Sequence, residues 1–175
     1  MAAPTRDEAL ATLEEGRGTL DALFERLGEQ ELVRTSTIGG GDWSALDLLG
    51  HIGTWEELAL DALSAWRAGR VPLVEEVFRA APSVDELNAQ RIQSLRRRRP
   101  DEVRRWAHDT HEALVAEITA MSDEEWTSKA PYPAERRDRL VTLLGSVLGA
   151  PQRPFGHPFA HQPDLQAYVD EVRGA

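Results

Sequence analysis

The side chains with most chemistry to offer are five histidines, in a chain with no cysteine. His157 and His161 stand four apart, so on a helix both imidazoles leave the same face. With a third histidine from another helix they fill three positions around a divalent ion, and water or substrate takes the rest. Three protein ligands with an open position is the pattern of a catalytic rather than a structural site. The H-x3-H pair has low specificity alone, and chance or a structural pair explains it about as often. His51 is the third imidazole in this reading. It lies in Asp42-Trp43-Ser44-Ala45-Leu46-Asp47-Leu48-Leu49-Gly50-His51-Ile52-Gly53-Thr54-Trp55-Glu56, with Leu48 and Trp55 on its side of a helix, so its ring is expected to face the interior. Without cysteine there is no disulfide, thiolate ligand or cysteine nucleophile. A thiol, if the reaction needs one, is a cosubstrate, and a transition metal is held by His, Asp or Glu, which favours a borderline ion over a soft one.

The remaining candidates have plainer readings. His108 and His111 in Trp106-Ala107-His108-Asp109-Thr110-His111-Glu112 also have ligand spacing, but beside Arg104 and Arg105 they read as a solvated, acid-rich helix flank. Arg96, Arg97, Arg98 and Arg99 read as a solvated helix end that complements the dipole. Gly39-Gly40-Gly41 lacks the lysine and the strand–helix context of a phosphate loop and reads as a linker. There is no nucleophilic-serine motif and no dinucleotide fingerprint. The five tryptophans fall at helical spacing and read as core.

The elements that position these residues are helices. Thr5 with Glu8, Ser44 with Asp47 and Ser83 with Glu86 have capping-box spacing. Apolar stripes predict helices over about 6–28, 45–68, 84–97, 101–120, 135–148 and 164–172, with a helical turn at 74–78 and a short turn after Ser122 that buries Trp126. Residues 29–41, 69–82 and 127–134 read as loops. Pro158 fits the first position of a helix, but Pro163 does not sit comfortably inside that same helix, because a helix-interior proline loses a hydrogen bond and clashes with the preceding turn, so the histidine pair is expected on a turn before the last helix. Strand alternation is nearly absent, so the expected class is all-α, an up-down four-helix bundle with extra short helices.

Composition narrows the rest. A length of 175 residues fits one domain over 1–175. A net charge of −10 argues against nucleic acid as a partner, since phosphate attraction needs a basic surface. No apolar run spans a bilayer and the N-terminus lacks a signal-peptide layout, so no membrane partner and a cytoplasmic location are expected.

Trp43-Ser44-x-x-Asp47-x-Leu49-x-His51-Ile52-x-x-Trp55-Glu56 resembles the second-helix signature of the DinB/YfiT-like superfamily, which includes mycothiol-dependent maleylpyruvate isomerases and related thiol transferases. Asp85-Glu86-Leu87-Asn88, the arginine-rich turn before Pro100 and the late H-x3-H are similar to that family too, so the resemblance covers about 5–172. It implies a four-helix bundle, often a homodimer, with a three-histidine site for zinc, nickel or ferrous iron falling on His51, His157 and His161. It further implies a small-molecule substrate and an external low-molecular-weight thiol such as mycothiol, in an S-transferase or isomerase reaction on an electrophile. Glu56 and Glu57 are candidates for a base or a supporting contact. Two other readings stand beside this one: a non-catalytic metabolite-binding or self-resistance protein with a pocket walled by Trp43, Trp55 and Trp106, and a metal-independent hydrolase of the same superfamily.

Overall fold

The structure, a computed structural model, describes residues 3–39, 41–80, 83–151 and 153–174, Ser83 by its backbone alone. Gly40 of the triglycine, Pro82 of the second connection and the side chain of the Ser83 cap lie outside the described residues. Four long helices form the body: α1 (Arg6–Phe24), α3 (Ala45–Arg67), α6 (Pro100–Ala120) and α9 (His157–Gly174). α3 packs on α6 and α9, and α1 packs on the same two, which closes a four-helix bundle. The shorter helices are α2 (Glu29–Leu32), α4 (Leu73–Arg79), α5 (Ser83–Leu95), α7 (Asp123–Trp126) and α8 (Leu140–Val147). Among the described residues there are three isolated β-bridges and no strand. The all-α class expected from the stripes is the class observed. No helix among the described residues is long and apolar enough to cross a membrane.

The helix starts follow their caps. Thr5 Oγ1 accepts from the Glu8 amide at 3.2 Å while the Glu8 carboxylate accepts from the Thr5 amide at 2.8 Å. Ser44 and Asp47 do the same at 3.1 and 2.9 Å. Each such cap is worth roughly 0.5–2 kcal/mol. α3 is enclosed: all of residues 45–56 are buried except Leu46. Small residues allow that. A Cβ on Gly50 would lie 2.7 Å from Leu95 Cδ1, and one on Gly53 would lie 2.9 Å from the Trp106 ring. One apolar cluster joins Trp55, Leu63 and Trp66 of α3 to Leu114 and Ile118 of α6 and to α8. A second joins Leu48 and Ile52 to the end of α1, α2 and the Leu165, Tyr168 and Val169 face of α9.

Three boundaries differ from the periodicity. α1 stops at Phe24, and α2 occupies the expected loop, its Leu32 buried. α8 begins at Leu140 rather than near 135. The Ala130 amide bonds to the Asp138 carbonyl at 2.8 Å and the Leu140 amide to the Ser128 carbonyl at 3.1 Å, which ties 128–140 into a loop folded on itself. α9 begins at His157, seven residues before the expected start, and runs through Pro163. Pro158, second in the helix, costs nothing, because first-turn amides have no intrahelical partner. Pro163 leaves the Phe159 carbonyl without its usual donor, at a cost near 3 kcal/mol. Burial of Leu165, Tyr168 and Val169, roughly 1.5–3 kcal/mol each, more than offsets that.

Candidate metal centre

His51 sits in the second turn of α3, and His157 and His161 in the first two turns of α9. A tight knot delivers α9 to this place. Phe155 adopts φ 60°, a left-handed conformation uncommon outside glycine, while fully buried and stacked on Trp126 at 5.6 Å. The His157 amide bonds to the Leu148 carbonyl at 3.0 Å, and Pro158 packs over Gly16 of α1. The first turn of α9 is thus held by α8 on one side and α1 on the other.

The three imidazoles converge. Nε2 of His51 is 3.0 Å from Nε2 of His157, which is 3.2 Å from Nε2 of His161. Ring centroids form a near-equilateral triangle of 4.8, 5.0 and 5.0 Å. One ring nitrogen from each lies within 4.8 Å of the other two. Two nitrogens bound to one ion at ~2.0–2.1 Å sit roughly 3.0–3.4 Å apart, so the spacing fits a shared divalent cation. His51 is buried and the other two are half-buried, so the cluster is closed on the α3 side and open on the α9 side.

The electrostatics suit ligands that must be neutral. Burial, then the neighbouring His161, pushes His51 down to about 3, and Asn88 opposes the shift. Burial and both other imidazoles hold His157 well below its ordinary value. Burial lowers His161 as well, against the pull of Asp164. Nδ1 of His51 is buried without a hydrogen-bond partner among the described residues. Asn88 is close enough to influence that ring, and its Oδ1 already accepts from Trp55 Nε1 at 3.2 Å. A ligating imidazole commonly gives its other N–H to such an oxygen, and Asn88 Oδ1 has a lone pair to spare.

Aromatic rings wall the cluster. Trp43 lies 5.0 Å from His51, and Trp55 stands edge-on to His51 and His157 at 6.4 and 6.1 Å. Trp106 does not join them. It packs against Gly53 on another face of α3, beneath the Arg98 guanidinium, so a pocket walled by all three tryptophans does not form.

Other expected roles are corrected by burial. His108 is exposed, as a solvated flank requires, but His111 is buried, and its Nδ1 meets Glu56 Oε1 at 2.7 Å. Arg17 reaches the other oxygen of Glu56 at 3.2 Å, the Ala107 carbonyl at 3.2 Å and Asp21 at 2.9 Å. Glu56, Arg17 and His111 thus form a buried ionic cluster joining α3, α1 and α6. Glu56 is five positions beyond His51, about 140° around the helix, and is committed to that cluster rather than to the three imidazoles. Glu57 pairs with Arg91 at 3.2 Å. The arginine run is divided: Arg96 grips Asp47 through two bonds of 3.0 and 2.9 Å and also reaches Asp42, clamping the end of α5 to the start of α3. All four positions are exposed, so they differ in their partners and not in burial.

The DinB superfamily profile matches residues 12–162. The chain belongs to the DinB superfamily. The fold of this DinB-superfamily chain is similar to that of ClbS, a colibactin self-resistance protein solved in complex with a dsDNA, at 16% identity and TM-score 0.72 over 99% of both chains. It is also similar to an uncharacterised protein of Escherichia coli UTI89, at 12% identity and TM-score 0.78 over 97% of this chain and 95% of that one. A Streptococcus pneumoniae protein matches at 15% identity and TM-score 0.68 over 96% and 92%. At such identities the likeness is one of fold. No curated protein matches by sequence. The exclusion of nucleic acid drawn from net charge does not stand, because ClbS, of this same fold, carries bound duplex DNA. Net charge sums over a whole chain, whereas a duplex meets one face. Here exposed Arg97, Arg98, Arg99, Arg104 and Arg105 crowd the corner between α5 and α6 of an otherwise acidic DinB-superfamily chain.

Proposed function

We propose that His51, His157 and His161 hold a divalent ion, of the zinc, nickel or ferrous kind, and that the chain is a metal-dependent enzyme acting on an electrophilic small molecule. One observation carries this reading: the Nε2 atom of His157 faces those of His51 and His161 at 3.0 and 3.2 Å. Such an ion, when bound, supplies a lowered pKa for a thiol or a water. The protein's own groups do the rest. Trp43 and Trp55 exclude water from the inner side, Asn88 Oδ1 stands as the nearest acceptor for the free N–H of His51, and the half-buried His157 and His161 leave the approach on the α9 side. The attacking thiol comes from outside, mycothiol or a similar small thiol, since the chain has none. Elemental analysis of untagged protein tests the ion: one zinc, nickel or iron per chain is expected, falling below a tenth of that in His51→Ala. A protein that stays metal-free after exposure to all three ions overturns the reading.

Self-resistance by binding or hydrolysis without a metal is the second reading, and the likeness to ClbS favours it. The exposed arginines between α5 and α6 are then the place for a duplex. A reaction that survives exhaustive chelation, together with salt-sensitive DNA binding weakened in Arg97→Ala/Arg104→Ala, supports this reading over the first.

A further inference from the structure

A second cavity lies apart from the three imidazoles, between α4 and the 128–140 loop. Its volume is about 530 Å³, within the usual span for small-molecule sites, roughly 300–1,000 Å³. Glu75, Phe78 and Arg79 of α4 line one side, and Glu135, Arg136 and Arg137 line the other. Glu75 and Arg137 neutralise each other through two bonds of 2.9 Å, with Glu75 buried. Among the described residues Arg79 and Arg136 enter no ion pair. With Glu135 the one remaining acid on the lining, the cavity wall carries an excess of positive charge.

The wall is also held in place. The Arg137 guanidinium is fixed over the Phe78 ring at 4.6 Å, so the loop side is ordered by α4.

We propose that this cavity binds the carboxylate or phosphate group of a small molecule, with Arg79 and Arg136 as its cationic clamp. Guanidinium forks suit both oxyanions. The site does not depend on a metal at the histidines. It is joined to them through stacked rings: Phe78 lies parallel to Trp55 at 6.1 Å, and Trp55 touches His51 and His157 edge-on.

Calorimetric titration of the full chain with inorganic phosphate, and separately with succinate, at fixed ionic strength tests this. Saturable binding of one ion per chain is expected for at least one probe, and the stronger probe tells phosphate from carboxylate. Arg79→Ala/Arg136→Ala should weaken it at least tenfold, and His51→Ala should leave it unchanged. Both arginines are exposed, so circular dichroism of the double variant should match the parent. Failure of both probes to saturate overturns the proposal. So does equal affinity in the double variant, or binding lost in His51→Ala.

Discussion

Nε2 of His51 lies 3.0 Å from Nε2 of His157, 106 positions later in the chain. Two ring nitrogens this close need a proton or a cation between them. Chelation is therefore expected to loosen the junction between α3 and α9. An ion at a hundred times its dissociation constant adds about 2.7 kcal/mol. For a chain of this size that is roughly 5–10 °C in melting temperature. Calorimetry before and after chelator, with zinc restored, measures it; a melting point indifferent to both would leave the imidazoles without an ion.

The metal-free protein should be acid-sensitive. Burial depresses His51 from 6.5 to about 3, so below pH 6.5 the unfolded chain takes a proton that the folded chain refuses. Stability is full above pH 6.5 and declines as pH falls toward 3. From His51 alone the loss between pH 7.5 and pH 5 is roughly 2 kcal/mol. Urea midpoints in the presence of chelator should fall across that interval, and fall less in His51→Phe. Identical slopes for the two would assign the acid sensitivity elsewhere.

Glu56 should matter to the fold and not to the ion. Glu56→Ala leaves the buried Arg17 with Asp21 and the Ala107 carbonyl but strips both it and His111 of the carboxylate between them, a change that should cost about 1–3 kcal/mol. Urea denaturation should register that loss, while metal content per folded chain stays at the parent value. Loss of metal without loss of stability would mean that Glu56 reaches the imidazoles after all.

Arginines adjacent in sequence should behave differently. Arg96→Ala strips the buried Asp47 of two hydrogen bonds and should cost about 1–3 kcal/mol. Arg97→Ala, at an exposed position without an ion pair among the described residues, should stay within about 0.5 kcal/mol of the parent. Equal effects would deny the clamp between α5 and α3.

Glycines separate in the same way. A Cβ added at Gly18 would meet nothing within 4 Å, so Gly18→Ala should stabilise α1 by up to about 1 kcal/mol. Gly53→Ala places its methyl 2.9 Å from the Trp106 ring and 3.2 Å from Ala107 Cβ and should destabilise by about 1–3 kcal/mol. Thermal melts of the pair give opposite signs if α3 and α6 approach as described.

Much of this architecture was legible in the sequence. Caps and stripes located α3 and α6 because both helices obey local rules throughout. The start of α9 was hidden because Pro163 argues against a helix running through it, and the tertiary burial of Leu165, Tyr168 and Val169 outweighs that. The start of α8 was hidden because backbone bonds between 128–130 and 138–140 override an apolar run. The histidine triad could be nominated from residue type, spacing and family resemblance, although its convergence required the fold. The Arg17–Glu56–His111 cluster was missed because a buried charge and a surface charge are spelled alike. A signal existed: Arg17 lies on the stripe of Leu13 and Leu20, and His111 on that of Ala107 and Leu114. A charge at a stripe position asks for a partner at another.

Enclosure of α3 divides labour between the helices. His51 is enclosed by its neighbours, whereas His157 and His161 sit half-buried on a turn that shows part of its surface to solvent. A small reactant would therefore reach the three rings past the α9 edge, with the bundle itself left shut.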